Sequence, residues 1–195
     1  MKNSSCIAVL TTVALLQSNF ILGELSQETN NNTQLIKSDD GSVIQIHKDG
    51  SKTIKRPDGT LIQTKNDGSE VIQNKDGTTI QIYKDGSKII KKTDGTSVQK
   101  KADGTEFIQN KDGTTIQIEK DGSKIIKKPD GTSIQEKADG TEFIQSKDGT
   151  TIQIQKDGTK IIKKSDGSSV QINGDGTKVI KNKDGSEVDI RRNGT

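Results

Sequence analysis

The residues able to do chemistry are few. His47 is the single histidine and Cys6 the single cysteine. No Ser/His/Asp set, metal-spaced His/Cys cluster or glycine-rich phosphate loop can be drawn from them, so no catalytic site, cofactor or enzymatic activity is expected. Aspartate is the abundant candidate: Asp-Gly recurs every nine residues from Asp40 to Asp184, and the series closes at Asn193-Gly194. Such a row invites a calcium reading. Calcium, however, takes about six to eight oxygens at roughly 2.4 Å, and each unit offers one Asp in a turn, with like-edge turns about 9–10 Å apart. Turn formation is therefore the better account of the row.

The remaining polar groups are those of a solvated surface. Lys91-Lys92, Lys127-Lys128 and Lys163-Lys164 are split between opposite faces if they lie on strands. Gln rows beside Lys would suit transglutaminase cross-linking, and Ser/Thr after each Asp-Gly would suit ice binding only if stacked in a flat array. Asn31-Asn32-Thr33 and Asn193-Gly194-Thr195 match the glycosylation sequon.

Composition bounds the elements that must position these groups. The 195 residues are 26% hydrophobic, 29% charged and 2% aromatic, with a mean hydropathy of -0.77. So little apolar surface excludes an ordinary globular enzyme. Lys and Arg total 30 against 27 Asp and Glu, a net of +3 that is no nucleic-acid signature. Lys2 followed by the apolar run Cys6–Leu16 reads as a secretory signal peptide over 1–23, which would remove Cys6 and leave no membrane span. Residues 24–30 read as a short linker and 31–195 as one nonapeptide-repeat domain.

Taking Asp as position 1, position 3 is Ser or Thr and position 5 is Ile, Val or Phe except at Thr53. Short Ile/Val/Thr stretches between Asp-Gly turns predict strands and hairpins. A two-residue turn would make all strands equivalent. A three-residue loop (position 9, Asp, Gly), with Gly in the left-handed region, shifts pairing by one and turns alternate strands over. The period should then double to 18, and it does: position 6 alternates Gln and Ile, as in Gln45, Ile54, Gln63, Ile72. One face then carries an unbroken row including Ile80, Ile90, Val98, Ile108, Ile116, Ile126, Ile134 and Ile144. The other face alternates Gln with apolar residues. A 36-residue period lies on top, since Lys75–Asn110 and Lys111–Ser146 differ at five positions.

The expected fold is all-β: a long single-layer antiparallel meander of about 18 short strands. A parallel β-solenoid with 18-residue coils competes, but it would place Lys88 and Lys92 beside Ile90, or Lys91 beside Ile89, in its interior without counter-charges.

Pro57-Asp58-Gly59-Thr60 and Pro129-Asp130-Gly131-Thr132 resemble the commonest turn of the G-box, the C-terminal repeat region of the T-complex protein 10 and centrosomal P4.1-associated protein family. Asn193-Gly194 matches its Asn variant, and the likeness covers residues 31–195. The resemblance implies a free-standing single sheet. It also implies an intracellular centriole component that binds a proline-rich peptide through aromatic residues on the sheet. The aromatic residues of these repeats are Tyr83, Phe107 and Phe143. Because the N-terminal segment reads as an export signal, the fold is carried over and the centriolar role is not.

From these residues the expected function is a secreted structural protein of a wall, coat, matrix or sheath, self-associating through the Ile/Val row. The alternative is a secreted module for glycans, polyanions or another secreted or coat protein, contacted through Lys88, Lys92, Lys124, Lys128, Lys160 and Lys164 on the same face.

Overall fold

A computed structural model describes residues 26–30 and 33–191. They form one sheet of nineteen strands, from β1 (Ser26–Asn30), β2 (Thr33–Lys37) and β3 (Val43–His47) to β19 (Glu187–Ile190). Each strand pairs antiparallel with its neighbours in sequence and with no other among the described residues. The fold is the open meander, and the solenoid is not formed. Eighteen strands are the repeat units; the additional one is β1, which pairs Ser26 with Lys37 through Asn30 with Thr33, where the sequence reading placed linker. The export segment 1–23, Asn31 and the Asn193-Gly194 turn lie outside the described residues.

The register follows from the corner. Every Gly of the seventeen Asp-Gly turns has φ between 81° and 93°. At the first corner the Gly41 N–H donates to the Ser38 carbonyl, and the Ser38 N–H to the Ser42 carbonyl, both at 2.9 Å. That is a type I turn followed by a left-handed Gly, the three-residue loop. Its pairings are the predicted ones: Ile80 sits opposite Ile90, Ile90 opposite Val98 and Ile108 opposite Ile116.

The Asp of each corner closes it with its side chain. Its Oδ1 accepts from the N–H two residues on, as from Ser42, Ser87 and Thr132 at 2.8–2.9 Å. Where that residue is Ser, its hydroxyl often donates to the same carboxylate, at 2.6 Å between Ser87 and Asp85. This Asx turn is why Asp precedes Gly and Ser or Thr follows it.

No hydrophobic side chain among the described residues is fully buried. A single layer has no interior, so the Ile/Val row is half-covered by its cross-strand neighbours. Its stabilisation comes in pairs, each about 0.2–1 kcal/mol relative to alanine. Order therefore rests on nearest-neighbour terms, as in other repeat arrays.

Two outcomes are expected. A Cβ on Gly77 would lie 2.6 Å from Cγ2 of Thr93, whereas one on Gly86 would meet nothing within 4 Å. Gly86→Ala should cost about 1–2 kcal/mol, for left-handed backbone alone, and Gly77→Ala measurably more; urea unfolding with hydrogen exchange at the two corners checks the order. The second concerns acid. In thirteen corners the Asp carboxyl is held below its ordinary 3.8: at Asp85 chiefly by the Ser87 hydroxyl and then its N–H, and at Asp130 chiefly by the Thr132 N–H. A depressed folded pKa gives stability that is present above the unfolded value and is lost as pH falls through the folded one. The melting temperature should be flat from pH 7 to about 5 and drop below pH 4, and circular-dichroism melts across that range would reveal a drop at higher pH if other groups governed it.

Candidate binding face

The half-turn between successive strands gives the sheet two unlike faces. The first carries the Ile/Val row. Every member named from Ile80 to Ile144 is half-buried, because β-branched chains directly opposite one another cover each other. The six lysines singled out by spacing divide there. Lys92, Lys128 and Lys164 stand exposed beside turns, while Lys88, Lys124 and Lys160 lie half-buried in the flank of the row.

That flank is not a cationic track. Along it Lys88 opposes Lys100, Lys100 bonds Glu106 at 2.7 Å, and Glu106 opposes Ile118. Lys124 then pairs with Glu136 at 3.5 Å, Glu136 opposes Glu142, and Lys160 is bordered by Ile154 and Ile172. Cations, anions and isoleucines alternate, so no continuous positive edge faces a polyanion.

The second face has a different centre line. There Phe107 of β10 (Glu106–Gln109) lies between Gln99 of β9 (Ser97–Lys100) and Gln117 of β11 (Thr115–Ile118). Phe143 of β14 (Glu142–Gln145) lies in the same way between Gln135 of β13 (Ser133–Glu136) and Gln153 of β15 (Thr151–Ile154). Both rings are 40% exposed; with Tyr83 at 37% and Val188 and Ile190 of the end strand, they are the exposed large hydrophobics of the described residues. An aromatic ring outreaches a glutamine neighbour's apolar part and stands proud of the sheet. Gln99, Lys101, Thr105, Phe107 and Gln117 line a shallow depression.

The surroundings of the rings are polar. Gln99, Gln117, Gln135 and Gln153 are all exposed, with amide donors and acceptors available to a ligand. The Gln117 amide donates to Glu119 Oε1. His47 sits at the end of β3, and no group of three or more His, Cys, Asp or Glu able to hold a metal occurs among the described residues. No described helix is long and apolar enough to cross a membrane. Spacing had noted the three aromatics only through family resemblance. What marks Phe107 and Phe143 is their protrusion between glutamines, visible once the register is known.

A family model described as T-complex protein 10 C-terminus matches residues 66–100. The TCP10 domain of Danio rerio CPAP, solved in complex with a peptide of Danio rerio STIL, superposes with a TM-score of 0.60 at 22% identity, covering 87% of this chain and 100% of that one. The TCP domain of Drosophila melanogaster SAS-4 (dCPAP), solved with a proline-rich motif of Ana2 (dSTIL), gives 0.57 at 18% identity, over 75% of this chain and 98% of that one. The crystal structure of the Drosophila melanogaster Sas-4 TCP10c domain gives 0.52 at 20% identity, over 66% and 96%. No curated protein matches the chain in sequence.

These likenesses bear out the G-box resemblance and overturn the secreted reading. The matching domains come from the family described above as intracellular, and two were solved holding protein segments, a STIL peptide and a proline-rich motif, not glycans or coat proteins. Secretion, an extracellular layer assembled through the Ile/Val row, and glycan contact through the six lysines are corrected together. So is the export reading of residues 1–23, which lie outside the described residues.

Proposed function

Starting from a sheet of the T-complex protein 10 C-terminal type, we propose that this chain is an intracellular, non-enzymatic scaffold module that binds a proline-rich segment of a partner protein on the glutamine-studded face. The observation that carries this reading is the exposure of Phe107 and Phe143, each at 40%, between pairs of glutamines on an uncovered sheet.

The chemistry is complementary. A proline-rich segment holds a polyproline II helix, whose carbonyls are unpaired and whose rings are flat and apolar. Proline rings pack on the phenylalanine faces, and glutamine amides donate to the carbonyls between them. Because the helix is already formed, little conformational entropy is lost on docking. The solved complexes of CPAP with a STIL peptide and of SAS-4 with a proline-rich motif of Ana2 support the same ligand class.

The test is titration of a labelled proline-rich peptide into the full chain. The Phe107→Ala, Phe143→Ala double variant should weaken binding by about 30-fold or more, the size of a central interface anchor, with an unchanged circular-dichroism spectrum. A Lys88→Gln, Lys124→Gln variant on the opposite face should bind as the parent does. Equal loss in both variants, or none in either, would sink the assignment to this face. Immunolocalisation of the tagged full chain tests the compartment, with an extracellular signal as the contrary result.

A further inference from the structure

An Asp followed by Gly can rearrange without an enzyme, because no Cβ shields the glycine nitrogen. That nitrogen attacks the Asp side-chain carboxyl carbon, a C–N bond forms, and one water leaves as a succinimide ring closes. Water then opens the ring. Cleavage of the bond between nitrogen and the backbone carbonyl carbon gives isoaspartate, whose main chain runs through the side-chain carbons and whose α-carboxylate is free. One water is lost and one regained, and no oxidant or cofactor is consumed. Seventeen described corners of this chain are Asp-Gly.

The closed corner blocks this reaction in three ways. Ring closure needs the Gly nitrogen eclipsed with the Asp Cβ, but a type I turn holds Asp at a ψ of about 0°, which eclipses it with the Asp nitrogen instead. The Gly N–H is also engaged: those of Gly86 and Gly185 donate to the Tyr83 and Asn182 carbonyls, each at 2.9 Å. Finally, the ring closes from the neutral acid, whereas hydrogen bonds favour the carboxylate. Asp85 and Asp184 each accept a Ser hydroxyl at 2.6 Å and the same residue's N–H at 2.9 Å, from Ser87 and Ser186 respectively. Both carboxyls lie below their ordinary value, chiefly through that hydroxyl.

The reaction therefore waits on opening, and opening is not uniform along the sheet. Asp85 and Asp184 share the local sequence Lys-Asp-Gly-Ser and the same corner bonds, so their intrinsic chemistry is equal. They differ in place. The Asp85 corner joins β7 (Thr79–Ile82) to β8 (Lys88–Lys91), each of which is laddered on both sides. The Asp184 corner joins β18 (Lys178–Lys181) to β19, which pairs with β18 alone among the described strands and whose four residues are all exposed. In an array held by nearest-neighbour terms, the strand with one ladder opens most often. We infer that Asp184 is an isoaspartate-forming site of the folded protein, and that the fold holds the interior Asp-Gly corners inert. The product cannot rebuild the corner: its main chain is one methylene longer there, and its carboxylate sits directly on Cα, too short an arm to cap the Ser186 N–H. It is instead a substrate for the class of enzyme that methylates isoaspartyl carboxylates.

Ageing the full chain at neutral pH in heavy-oxygen water, folded and in parallel in guanidinium chloride, tests the site. Each ring opening takes up one solvent oxygen, which mass spectrometry of peptides maps to its corner. In denaturant Asp85, Asp121 and Asp184, all in Lys-Asp-Gly-Ser, should react alike. In the folded chain Asp184 should react about 10-fold or more faster than Asp85 and Asp121, and the Gly185 N–H should exchange correspondingly faster than that of Gly86. Val188→Gly, which removes the side chain opposite Ile180, should raise the Asp184 rate several-fold and leave Asp85 unchanged. Equal folded rates at Asp184 and Asp85, or an unmoved Asp184 rate in Val188→Gly, would overturn the site. Interior corners reacting as fast folded as unfolded would overturn the protection.

Discussion

The one-residue register shift at each corner is the constraint from which the rest of this protein follows. A type I turn closed by a left-handed Gly makes the loop three residues long, and an odd loop turns the next strand over relative to its sequence numbering. Ile54 and Ile62 therefore oppose each other, although they hold different places in the nonapeptide. The Asp carboxylate holds this geometry by capping the N–H two residues on, which water would otherwise have to satisfy. Remove the shift and one face would have position 5 as its centre, with Thr53, Phe107 and Phe143 among its Ile and Val, while glutamine and isoleucine would alternate along the other.

A sheet built in this way has no core, and that shapes what it can do. Ordering rests on ladders and cross-strand pairs between neighbours, and no hydrophobic side chain among the described residues is fully buried. Both faces remain open to partners. They differ because branched aliphatic chains opposite one another cover each other, whereas a phenylalanine between glutamines rises above them. The more continuous apolar row is thus the better covered, and the sparser one offers the accessible rings.

That inversion explains where sequence reasoning went astray. Counting aligned isoleucines on one face marks it as the sticky surface, but exposure depends on the height of neighbours, which composition does not report. The lysines flanking that row looked like a cationic patch because they recur at fixed places. Glu106 and Glu142 are already interleaved with them in the sequence, and the folded register adds Glu136, Ile118 and Ile154. Residues 1–23 drew the cellular setting from a local pattern of one lysine and an apolar run, whereas the repeats resemble the T-complex protein 10 C-terminal domain, solved in one case with a peptide of STIL.

The fold was legible to the level of individual pairs, because period, turn chemistry and strand alternation are all local. A nine-residue unit with Asp-Gly corners and an eighteen-residue alternation admits one antiparallel register, and every Ile/Val pairing obeyed it. The strand Ser26–Asn30 was not legible, since it has neither an Asp-Gly corner nor any Ile or Val and is recruited by pairing with the edge of β2. The working face belonged to the tertiary structure too. The chain by itself determined which residues share a face, through the fixed side-chain period of two; only the assembled sheet decided which of them stand clear of their neighbours, because exposure is set by side chains arriving from the strands on either side.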